Sequence, residues 1–268
     1  MSDRGIQISL LLLFVLLIMV IISGFVTTEN IQNLDKRLLP VGSSNHILGT
    51  DHFGRDILDR LIVGAGISIK VGILASFISL FLGVSLGLIS GYYGKWIDNI
   101  IMRFTDIIMA FPVLLFLIAI SATFNPNINT SMIAIGAVGW PPVARLIRSH
   151  VLIIKSQEFI SSVHALGFSN YRIILYHILP NCISPIIVIF TLGISGAIMA
   201  EASLSFLGLG VQPPIPSWGS MINEGKDFLR VAPWISLFPG IAIIISVLAF
   251  NLLGEGLRDI LDINVEKL

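Results

Sequence analysis

Long uncharged apolar runs separated by short polar stretches set the pattern of this chain. A helix needs roughly 20 apolar residues to cross the hydrocarbon core of a bilayer. The runs Gly5–Thr28, Val71–Gly94, Pro180–Ala200 and Val231–Gly254 each meet that length. Ile107–Ala144 is too long for one crossing, and the turn-forming stretch Asn125-Pro126-Asn127-Ile128-Asn129 divides it into two. The pattern predicts about six membrane helices. Strands are excluded because the runs lack barrel-type alternation and lipid cannot satisfy open backbone groups. A cleaved signal peptide is the alternative for the first run. That run exceeds the usual apolar segment of about 7–15 residues and no A-x-A site follows, so it reads as a span.

Composition sharpens this picture. Charged residues make up only 12% of the 268, and 16 basic residues balance 16 acidic ones. No basic patch points to nucleic acid. The one cysteine, Cys182, excludes an internal disulfide and reads as an apolar filler at a helix start. No phosphate-binding G-x-x-x-x-G-K-[ST] loop is present, and Gly94-Lys95-Trp96 fails the pattern. Nor is there a hydrolase G-x-S-x-G or a zinc-protease H-E-x-x-H. The chain is expected to catalyse nothing and to bind no cofactor itself. Gly83-Val-Ser-Leu-Gly87 permits close helix approach, read as packing within the bundle.

Six spans put both termini on one side. With that side cytoplasmic, the Lys and Arg count favours the inside only slightly. The most polar inside stretch, roughly Arg145–Leu179, has two short helices in its loop 155–181. The first ends at Gly167, a residue suited to the left-handed position after a helix. Ser169 or Asn170 can cap the second, and Pro180 opens the next span. Such a corner suits insertion into a partner's groove, and equally suits a plain connector.

This stretch resembles the cytoplasmic "EAA" loop of ABC-importer permeases. Gly167 matches its glycine, and Leu179-Pro180-Asn181 its ending, while Ser161-Ser162-Val163 replaces the leading E-A-A and is followed by Ala165. The segment from His46 through Asp51, Gly54, Arg55 and Asp56 to Arg60 resembles the H-x-L-G-T-D-x-x-G-R-D motif of dipeptide, oligopeptide and nickel permeases. Glu201–Gly210 with Pro213-Pro214 and Trp218-Gly219, and Asn251–Asp262, resemble later segments of that family's second permease. The resemblance implies an all-α, multi-pass subunit of a bacterial or archaeal inner membrane with both termini cytoplasmic. Residues 1–70 would hold the first helix and an external segment, and 71–268 the permease domain with its coupling loop. It also implies a homologous permease forming a heterodimer, two ATP-binding subunits, an extracytoplasmic solute-binding protein, and peptide cargo first, nickel or a metal chelate second. A stand-alone secondary transporter is the alternative.

The remaining charges allow several readings. Asp51, Arg55 and Asp56 form either a docking surface or an external cap held by its own pairs, with Asp56 and Arg60 spaced to pair along one helix. Arg103 and Asp106 are expected to pair near the inner interface. Glu201, near the outer end of the fifth span, is a pore or gate candidate, or else a hydrogen-bonding group within the bundle. A metal site is the minority reading for all five histidines.

Overall fold

In a computed structural model the described residues are 2–26, 33–43 and 45–265, and they fold into helices without strands. Thr28, the expected end of the first span, lies outside them. In chain order the helices are α1 (Ser2–Ser23), α2 (Ile57–Tyr93), α3 (Lys95–Ala110), α4 (Val113–Thr123), α5 (Ile128–Lys155), α6 (Glu158–Ala165), α7 (Asn170–Ile173), α8 (Leu179–Asn181), α9 (Ile183–Phe206), α10 (Trp218–Gly225) and α11 (Trp234–Val265).

Glycines set the central packing. Gly83, Gly87 and Gly91 of α2 press on Val143, Ile147 and Val151 of α5. A Cβ on Gly91 would stand 2.7 Å from the Cβ of Val151, inside van der Waals contact. In return, Gly136 of α5 packs on Ile78 of α2. The G-x-x-x-G pattern therefore serves packing inside the chain, one turn further than the sequence motif.

This register has a topological consequence. Contacts advance together along α2 and α5, so the two helices run parallel. The chain between them must cross back. That crossing is α3 plus α4, two helices bent by 87° at Phe111-Pro112. The bent pair is one span, and the total is six. The reverse order of contacts shows α9 antiparallel to α2, with Glu201 beside Ser68 and Phe190 beside Ser76. Likewise α11 opposes α9, with Val247 beside Ser195 and Gly254 beside Leu192. At one end Ile6 of α1 meets Gly256 of α11, and at the other Ser23 meets Gly66 of α2. Both outermost helical ends and α6–α8 thus share one end of the bundle, here termed the corner end. The segments 33–56, 124–127 and 207–233 share the opposite, cap end.

Span boundaries shift at the second and fifth helices among others. The second helix begins at Ile57, not Val71, because the charge of Lys70 stops an uncharged run without stopping a helix. It runs unbroken through residues 70 and 71, where the sequence division into two domains falls. The fifth span begins at Ile183 rather than Pro180, because the chain turns at Cys182 after the short α8.

Candidate functional site

At the corner end, α6 stops at Ala165 and Gly167 takes φ +81°, the left-handed conformation that glycine adopts without strain. The Leu166 N–H donates to Ser162 and the Gly167 N–H to His164, satisfying the last carbonyls of the helix. Ser169 holds the cap position of α7 through its backbone alone. Asn170 instead accepts a 2.8 Å bond from the Tyr92 hydroxyl at the end of α2. Lys155 donates to the Tyr92 carbonyl at 2.5 Å.

One face of the corner is anchored. Ile160, Ile173 and Ile178 are buried against Leu88 of α2 and Ile147, Val151 and Ile154 of α5. The other face is bare. Leu166 is 75% exposed, Tyr171 72% and Tyr176 70%. Large apolar groups exposed together mark an interaction surface. Ser161, Ser162, Ala165, Gly167, Pro180 and Asn181 are exposed beside them, whereas Val163 and Leu179 are half-buried and pack inward. The structure therefore brings the sequence-expected loop residues into one projection, and adds Leu166, Tyr171 and Tyr176. Their signal lay in the sequence as bulky residues flanking the glycine in a polar stretch.

The cap end is built the opposite way. Asp51 accepts from Arg55 Nε at 2.6 Å and from Arg60 Nη1 at 3.1 Å. The same two guanidiniums reach Glu224 of α10, at 2.5 and 2.9 Å. Two carboxylates and two guanidiniums thus close a ring. Gly54 turns the chain at φ +76°, where a side chain would strike the Asn33 backbone. Asp56 does not pair with Arg60. It accepts from the Leu58 and Asp59 N–H groups at the start of α2, and meets His46 at 2.7 Å. Glu224, more than 160 residues away along the chain, had no sequence signal.

Asp51, His52 and Glu224 place donor atoms within 4.8 Å of one another. A metal there would have to displace two guanidiniums and then face their charge, so the donor set does not fit one. Burial lowers the His52 pKa below its ordinary 6.5, with Arg55 and Arg60 adding to the effect and Asp51 and Glu224 opposing it.

Glu201 is 0% exposed, a position that fits the alternative of a hydrogen-bonding group within the bundle. It accepts from Ser68 of α2 at 3.1 Å and from Ser205 at 2.6 Å. Ser68 in turn accepts the Trp218 N–H of α10, so the acid joins three elements. Asp106 pairs with Arg145 of α5 at 2.6 Å rather than with Arg103, its neighbour in sequence. Asp98 takes a two-pronged bond from Arg148. Between these ends, a cavity of about 360 Å³ lies among α2, α4, α5 and α9, lined by Ser76, Leu117, Pro142, Gly193 and Gly196 among others.

Comparison with known proteins matches this arrangement. The model of the family described as binding-protein-dependent transport system inner membrane component matches residues 83–267. The dipeptide transport system permease protein DppC of Alkalihalophilus pseudofirmus is 50% identical over 220 residues, 82% of this chain and 72% of that protein. A putative peptide transport system permease protein of Brucella abortus is 40% identical over 264 residues, 98% and 88% of the two chains. The glutathione transport system permease protein GsiD of Escherichia coli is 46% identical over 220 residues, 82% and 73%. Among solved structures, an inward-facing MetNI methionine ABC transporter chain shares the fold, with TM-score 0.59 at 15% identity over 74% of this chain and 94% of that one. The chain belongs to the binding-protein-dependent transport system inner membrane component family, as a multi-pass permease subunit of an ABC importer.

Proposed function

We propose that this permease forms half of the pathway through which an ATP-driven importer takes up peptides. The relatives named for dipeptide, peptide and glutathione transport favour peptide cargo over nickel. The corner end faces the cytoplasm and the cap end the outside. A homologous permease supplies the other half, a solute-binding protein delivers cargo at the cap end, and two separate subunits hydrolyse ATP.

One observation carries this reading: the corner is fixed on its inner face and bare on its outer face. Ile160, Ile173 and Ile178 tie it to α2 and α5, the two helices that also border the central cavity. A push on Leu166 or Tyr171 is therefore delivered to the pathway helices as a rigid displacement. ATP and cargo need only favour the inward and outward states differently for net transport to follow.

Gly167→Trp tests the coupling. The variant is expected to insert normally and to lose uptake of a radiolabelled peptide to below about a tenth of wild type, a barrier of ~1.4 kcal/mol or more. ATP hydrolysis would no longer respond to cargo. Uptake close to wild type would overturn the reading.

A further inference from the structure

Lys70 lies on α2, within the span, and is exposed, and among the described residues it has no ion-pair partner. A lone ammonium in a membrane helix reaches for the polar interface. Its level in the bundle is fixed by its neighbours. One turn before it, Gly66 meets Ser23, the last residue of α1. Beside it are Asn127, where the chain enters α5, and Gln212, after α9. Lys70 therefore stands where several elements leave the bilayer at the cap end.

Two cavities meet at this one residue. The first, about 570 Å³, is an apolar groove between α1 and α2 lined by Val20, Val63, Ile67, Ile73 and Leu74 with Lys70. The second, about 520 Å³, is mixed: Asn127, Asn129, Thr130 and Gln212 join Lys70 on a lining shared with Ile128, Ile133, Val211 and Ile215. Both volumes are in the range of small-ligand sites, ~300–1,000 Å³. An apolar slot, a cation and a second cavity carrying amide and hydroxyl groups describe an amphipathic anion.

The surface of α2 decides which one. Lys70, Ile73, Leu74, Phe77 and Phe81 recur at helical spacing, and all are exposed. Ser76 and Ser79, which line the central cavity, fall on the other side of the helix. Lys70 thus belongs to an apolar outer face rather than to the face toward the pathway. We propose that Lys70 binds the phosphate of a glycerophospholipid, with an acyl chain in the α1–α2 groove and the headgroup in the Asn127–Gln212 basin. The bound lipid would add to the packing that Met19, Val20 and Ser23 of α1 already make beside Ala65 and Gly66 of α2.

Native mass spectrometry tests this on the full chain, purified in mild detergent with the subunits that accompany it. The probes are dioctanoyl phosphatidylglycerol, dioctanoylglycerol and inorganic phosphate. Wild type and Lys70→Arg should retain the phospholipid. Lys70→Met, which removes the charge, and Leu74→Trp, which fills the groove, should each bind it about tenfold more weakly. Dioctanoylglycerol and inorganic phosphate each lack half of the ligand and should bind wild type at least about tenfold more weakly. Undiminished binding by Lys70→Met would overturn the proposal. So would competition by inorganic phosphate or by a dipeptide as effective as that of the lipid, which would mark an anion or cargo site.

Discussion

The two ends of this permease solve the same problem in opposite ways. At the cap end, charged groups fold onto one another: Asp51, Arg55, Arg60 and Glu224 leave little of themselves to water. At the corner end, Leu166, Tyr171 and Tyr176 remain bare although a folded core lies directly beneath them. A cap with its charges paired is complete within the chain. A corner with its apolar groups unpaired offers a surface that a partner can cover. Pairing within the chain therefore accounts for the charge density of the cap, whereas nothing within the described chain covers the exposed apolar area of the corner.

The comparison breaks first if the cap is not held by its pairs. Asp51→Ala leaves the Arg55 and Arg60 guanidiniums to share the single carboxylate of Glu224 and is expected to cost about 3 kcal/mol. Thermal denaturation and proteolysis of the 33–56 segment would show it, while copurification with the ATP-binding subunits persists at low temperature. An unchanged melting temperature would remove the argument. The reverse pattern is expected at the corner. Leu166→Ala with Tyr171→Ala should weaken ATPase copurification by about ten- to a hundredfold, since hot-spot side chains contribute more than about 1 kcal/mol each. Stability should stay near wild type. A large loss of stability would make the two side chains part of the core.

Two smaller effects sharpen the contrast. Glu201→Gln keeps the shape of the buried acid and exchanges one hydrogen-bonding group for another. It is expected to cost about 1–2 kcal/mol of stability and to leave peptide uptake within about twofold. A selective loss of transport would place Glu201 on the pathway. The smallest effect concerns pH. Because burial depresses the His52 pKa, the unfolded cap binds more protons than the folded one below the ordinary value of 6.5. Cap stability is then complete above that pH and declines as pH falls through the lower folded value. His52→Phe, which preserves the ring stacked on Phe228, should flatten the decline.

Much of the fold could be read along the chain because a bilayer imposes length and apolarity on each crossing. Five apolar stretches and the Asn125–Asn129 break follow from that constraint. The bend at Phe111-Pro112 does not, since both of its flanks are apolar and hydropathy is blind to direction. Pro112 was the available signal, as the residue before a proline avoids the helical region. Charged pairs were misread for a related reason. Local spacing suggested Arg103 with Asp106 and Asp56 with Arg60, whereas the structure pairs Asp106 with Arg145 and Arg60 with Asp51 and Glu224. Spacing along one helix reveals only neighbours on that helix. The corner was legible because Gly167 has a local conformational role, and its conformation needs no distant partner.

Cross-linking from a single position tests the central claim most directly. Ala165 is small, exposed and next to the turn. With Ala165→Cys in intact membranes, a short bifunctional reagent should join this chain to an ATP-binding subunit, whereas Asp227→Cys at the cap end should not. An ATPase adduct from Asp227→Cys, or its absence from Ala165→Cys in membranes that still import peptide, would contradict the account.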